Sequence, residues 1–148
     1  MNGFGGAGAF SDGKYNITNQ FGGTLYEYIG KEEALDLMHY VDEINLRYGG
    51  EGTKLYSTAN SEIKKQCLQH GLTLLDASVR HLGTDINYVV LENLYNDLKD
   101  KVEFKFRAVA KKVEKTDNTY IVNTEDGESY EADTCVISVG RSGSKWME

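Results

Sequence analysis

The chain has 148 residues, of which 40% are hydrophobic and 26% charged, and a net charge of −7. That length suits one domain, or one domain with part of another, and the apolar content can fill a core. An acidic balance without a basic patch excludes a nucleic-acid footprint, and no apolar run approaches the ~18 residues of a membrane span.

The opening Gly3-Phe4-Gly5-Gly6-Ala7-Gly8-Ala9-Phe10-Ser11-Asp12-Gly13-Lys14 crowds glycine together with three polar side chains, those of Ser11, Asp12 and Lys14. Glycine at this density frees the backbone for positive φ and close approach, and successive N–H groups in such turns form concavities for anions. The segment matches G-x-G-x-x-G by letter, but that fingerprint carries meaning only between a strand and a helix. It opens the chain with no strand before it, so it is not expected to form a self-contained dinucleotide site. The rest of residues 1–30 reads as loop, with Tyr26, Tyr28 and Ile29 as a short β-prone run.

A helix is expected from Lys31, where Ala34, Leu35, Met38, Val41, Ile44 and Tyr48 recur at three- and four-residue spacing before Gly49-Gly50 stops it. Lys54–Ser57 reads as a short strand. Asn60 or Ser61 caps a second helix through His70, which Gly71 closes. Leu72–Leu82 reads as extended. Asp85 is the expected N-cap of a third helix carrying Val90, Leu91, Leu94 and Leu98 on one face. From Val102 the period falls to two: Val102, Phe104 and Phe106 alternate with charged residues, as in a half-buried strand. Val109 and Val113 begin another strand, and Asp126-Gly127 between Tyr120–Thr124 and Ser129–Ala132 signals a hairpin. Cys135–Val139 is a continuous apolar run, as expected of a strand covered on both faces. The two cysteines, Cys67 and Cys135, fall in a helix and that strand. They suggest neither a disulfide scaffold nor a metal site, and a reducing cytoplasm is the expected location.

Three segments resemble a bacterial family of FAD-dependent dehydrogenases, relatives of the two-dinucleotide flavoproteins with an inserted domain. They are Gly5-Gly6-Ala7-Gly8-Ala9-Phe10-Ser11-Asp12-Gly13-Lys14, His81-Leu82-Gly83-Thr84-Asp85 and Cys135-Val136-Ile137-Ser138-Val139-Gly140-Arg141-Ser142-Gly143. The resemblance implies a mixed α+β chain within the α/β class. A glycine-rich loop facing the cofactor would occupy 1–30 and a mainly helical insert region 31–98. An antiparallel meander and part of a Rossmann-like FAD-binding domain would occupy 99–148. The family's strand–GxGxxG–helix unit is missing, so the chain resembles the middle of a larger enzyme.

On this resemblance FAD, with NAD(P) beside it, is the expected cofactor, and hydride transfer with a small organic substrate the expected reaction. Gly5, Gly6, Ala7, Gly8, Ser11, Asp12, Gly13 and Lys14 would face the cofactor, as would Gly140, Arg141 and Ser142 beyond the last strand. Gly83, Thr84 and Asp85 at a helix start would face the substrate. His81, whose charge changes near neutral pH, would move a proton. The residues alone also allow a second reading, a non-catalytic acidic binding or assembly module whose glycine loops are structural. Its exposed sheet edge would be open to a second copy.

Overall fold

The computed structural model describes residues 3–59, 61–140 and 143–147. They form two compact units, Met1–Glu103 and Phe104–Glu148.

In the first unit a 3₁₀ turn, Gly6–Phe10, leads into β1 (Lys14–Ile17). Two helices follow, α1 (Tyr26–Ile29) and α2 (Lys31–Asn45), then a wide helical turn, Leu46–Gly50. Next come β2 (Leu55–Ser57), α3 (Glu62–Gln69), β3 (Ser78–His81) and α4 (Gly83–Leu98). The strands make one antiparallel sheet with β3 in the middle, pairing Lys14 with His81, Tyr15 with Arg80, and Tyr56 with Val79. Successive side chains point to opposite faces. Tyr15 and Arg80 therefore share the face toward the helices, where they bond to Asn87 of α4 and Asp42 of α2. Lys14, Tyr56, Val79 and His81 share the other face. Among the described residues, Ile17, Ala34, Leu82 and Val90 are the buried apolar side chains.

The local signals explain most helix ends. Ser61 caps α3 by accepting from the Lys64 N–H at 3.1 Å, and the chain turns away at Gly71 with Leu72 N bonded to Cys67 O. Asn60, the other candidate cap, lies outside the described residues. Asp85 is not the N-cap of α4: Leu82 holds that place and Asp85 sits in the first turn, where its charge favours the helix dipole. The β-prone run at Tyr26 is one turn of helix, closed by Gly30 at φ +92°. Bonds from Glu27 and Tyr28 N–H to the Thr24 and Leu25 carbonyls satisfy it locally, which a lone strand could not do.

The second unit is a meander of β4 (Ala110–Thr116), β5 (Thr119–Thr124) and β6 (Ser129–Ala132), followed by a single turn, α5 (Ser144–Met147). The hairpin turns at Asp126-Gly127, with Gly127 at φ +91° and Thr124 N bonded to Glu128 O. Two expected strands do not form. Residues 102–106 pair with no strand among the described residues, and Arg107 leaves the extended region at φ +61°. The alternation there serves side chains, since the Phe104 and Phe106 rings stack with centroids 5.7 Å apart. Cys135–Val139 is irregular and open, with Val136 82% exposed, and pairs with no strand among the described residues. Among the described residues no helix is long and apolar enough to cross a membrane.

Candidate functional site

Two of the glycine motifs meet at one end of the first sheet. Leu82 donates its N–H to the Gly13 carbonyl at 2.9 Å, continuing the β1–β3 ladder past Lys14 and His81. Gly13 has φ +64°, and a Cβ there would lie 2.8 Å from the Gly83 carbonyl oxygen. Only glycine fits that crossing. The Thr84 hydroxyl donates to the Ser11 carbonyl at 3.2 Å, a second tie between the loop and the start of α4.

The loop is held from behind by a side chain absent from the sequence-based site. Asn87, fully buried on α4, donates to the Gly8 carbonyl and accepts from the Tyr15 hydroxyl, both at 2.7 Å. Burial pushes the Tyr15 hydroxyl pKa up, so it stays a donor. Ser11 is used inside the loop: its Oγ donates to Gly8 O and accepts from Gly13 N. Gly5 sits against Leu91 of α4, whereas a Cβ added at Gly6 or Gly8 would meet, among the described residues beyond its own turn, no atom within 4 Å.

The charged groups collect on the outer rim. Lys14 Nζ lies 2.7 Å from Asp12 Oδ2, with both side chains more than half exposed. The lysine's hydrogen bond, then its charge and that of nearby His81, hold the Asp12 carboxyl below the usual range. His81, Thr84 and Asp85 are exposed beside this pair, next to the N-terminal end of α4. The rim thus offers a lysine paired with Asp12, an accessible imidazole and a helix start within one patch. Such a patch can orient an anionic or polar ligand edge and exchange a proton with it.

Other expected residues stand elsewhere. Gly140 belongs to the second unit, where it has φ +67° and its carbonyl accepts from Gly143 N at 3.1 Å. Arg141 and Ser142 lie outside the described residues. Cys67 and Cys135 are both free. Sequence reasoning also missed the ion pair beneath the sheet. Arg80 clasps Asp42 through Nε (2.5 Å) and Nη2 (2.8 Å), and donates from Nη1 to the Thr53 carbonyl. The strict alternation of β3 was the one available signal, since it turns Arg80 to the face opposite Val79.

The chain belongs to the pyridine nucleotide-disulphide oxidoreductase family, whose pattern matches residues 28–147. The match takes in His81–Asp85 and the Gly140 turn and begins after the opening glycine loop. No curated protein and no solved structure matches the chain.

Proposed function

We propose that the chain is the central part of an FAD-dependent dehydrogenase that moves a hydride between a reduced nicotinamide, or an organic substrate, and the flavin. The observation that carries this reading is the meeting of Gly5–Lys14 with His81–Asp85 at one sheet end, in a chain of this oxidoreductase family. The space beside Gly6 and Gly8 fits a flat ring, because among the described residues beyond their own neighbours nothing stands within 4 Å of a Cβ at either.

Bound FAD would supply the electron chemistry; the protein's part is to hold, orient and protonate. Gly5, Gly6, Ala7, Gly8 and Gly13 give the backbone edge that meets the cofactor, and Asp12 holds Lys14 in place as the positive group beside it. Ser11 acts one step back, bracing the loop through Gly8 and Gly13. Gly83, Thr84 and Asp85 meet the substrate, and His81 exchanges the proton that accompanies the hydride. Gly140, Arg141 and Ser142 are assigned to the cofactor through the arginine's capacity for bidentate phosphate contact.

The strand–GxGxxG–helix unit is proposed to lie in a longer cytoplasmic protein of which this is a piece, so the chain by itself binds FAD weakly. The exposed Val136 supports this, as an apolar side chain 82% exposed gains stability when further chain covers it. In the longer flavoprotein, His81→Ala should lower kcat by about 10²-fold or more while flavin content stays unchanged. Unchanged kcat would remove His81 from the mechanism, and a longer protein without flavin would overturn the whole reading.

A further inference from the structure

We propose that the outer face of the β1–β3–β2 sheet seats the organic substrate, and that this substrate is a planar aromatic ring bearing an anionic group. The proposal rests on the flavoenzyme reading only in calling the ligand a substrate; the binding itself is argued from the cavity.

A cavity of about 450 Å³ opens on that face, lined by Phe21, Tyr56, Leu74, Leu75 and Val79. That volume falls within the usual range for small-molecule sites, and an apolar lining with few polar groups is their common character. Two aromatic walls favour a flat ring over an aliphatic chain, since offset or edge-on ring pairs add attraction beyond area burial. The cavity wall is fixed before any ligand arrives. Thr58 Oγ1 donates to the Leu75 carbonyl at 2.6 Å and accepts from Ala77 N at 3.0 Å, tying β2 to the segment that precedes β3.

Charge complementarity supplies the second half of the ligand. Lys54 Nζ stands 4.6 Å from the centre of the Tyr56 ring, placing a cation at the cavity margin. Farther along β3, His81 lies two residues from Val79 on the same face, about 7 Å away at the rise of a strand. Lys14, which is paired with Asp12, is its direct cross-strand neighbour, so the cation at the cavity margin left without an acidic partner among the described residues is Lys54. A ring against Val79 and Tyr56 therefore brings a carboxylate one ring-length away to the imidazole assigned the proton. A peptide adding to the sheet would instead bond to the outer backbone edge of β1 or β2, whereas this cavity is walled by side chains, Tyr56 and Val79 among them.

The test uses the 148-residue chain without flavin, titrated with 2-naphthoate, its neutral carboxamide and cyclohexanecarboxylate, and followed by backbone amide shifts. Saturable binding of 2-naphthoate is expected, with shifts at Phe21, Tyr56, Val79 and His81, and weaker binding of both analogues. Tyr56→Ala should weaken 2-naphthoate by about three- to tenfold and Tyr56→Phe should not, following the worth of one ring pair. His81→Ala should narrow the gap between acid and carboxamide, and Lys112→Ala, in the other unit, should change nothing. No saturable binding, or equal binding of all three probes, overturns the proposal. A concentration-dependent dimer that buries Tyr56 and excludes 2-naphthoate overturns it too, by giving the face to a second copy. Because flavin is absent throughout, failure here leaves the flavoenzyme reading standing, and failure of that reading leaves the cavity's ligand class standing.

Discussion

Arg80 and Asp42 bring opposite charges into the interior of the first unit, each with a side chain only 8% exposed. Two charges removed from water are tolerable only as a pair, because the attraction between them and the added bond to Thr53 O must offset their lost hydration. Asp42→Ala should therefore cost about 3–5 kcal/mol in urea unfolding, leaving a buried guanidinium without its partner. Replacing both, as Asp42→Leu with Arg80→Met, should recover most of that loss; a double variant as unstable as the single would refute the account. Beyond the alternation that turns Arg80 away from Val79, none of this was legible in the sequence. An arginine in an extended run reads as solvent-facing by default, and its partner lies 38 positions away. Asn87 escaped notice for the same reason, since helical spacing marks apolar faces and not a buried amide. The glycines were more legible, because Gly13 announces a conformation that its own lack of a side chain permits.

At the scale of elements, periodicity placed α2 and α4, capping residues α3, and the Asp126-Gly127 turn the β5–β6 hairpin, all with stabilising contacts close in sequence. It misplaced residues 102–106 and 135–139, where a strand depends on a partner that local pattern cannot supply. The far end of α4 shows how elements are tied by exposed charge. Tyr48, in the wide turn after α2, donates to Asp97 Oδ2 at 2.6 Å, while Lys101 Nζ meets Asp97 Oδ1 at 2.5 Å. Hydrogen bonds from Lys101 and then Tyr48 lower the Asp97 pKa, and the bond to Asp97 raises those of Lys101 and Tyr48. A lowered carboxyl pKa stabilises above its unfolded value of 3.8, and that contribution is lost as pH falls through the folded value. The raised groups contribute below their unfolded values of 10.0 and 10.5 and lose that contribution as pH rises through the folded ones. The Tm difference between wild type and Asp97→Asn should thus be largest near neutral pH and shrink at both extremes. It should be small throughout, since exposed pairs are screened by water and salt. A difference independent of pH would contradict the assignment.

For the molecule as a whole, the sequence pointed to three glycine turns serving one ligand. Two of them are joined, through Gly13, Gly83, Ser11 and Thr84. The third, at Gly140, belongs to the other unit. The pairing was beyond sequence reasoning because it depends on β1, a strand of four residues hidden in what reads as loop. Once that strand forms against β3, the loop and the start of α4 are neighbours by register alone. The family match leaves the opening loop outside its span, so the loop's part in cofactor contact is the claim most in need of a direct test. Titrating FAD into the isotope-labelled chain and following backbone amides provides it, since weak binding still moves resonances. The account predicts shifts concentrated at Gly6–Lys14 and His81–Asp85, which Lys14→Ala reduces. Shifts confined to other residues, or none at saturating FAD, would contradict it.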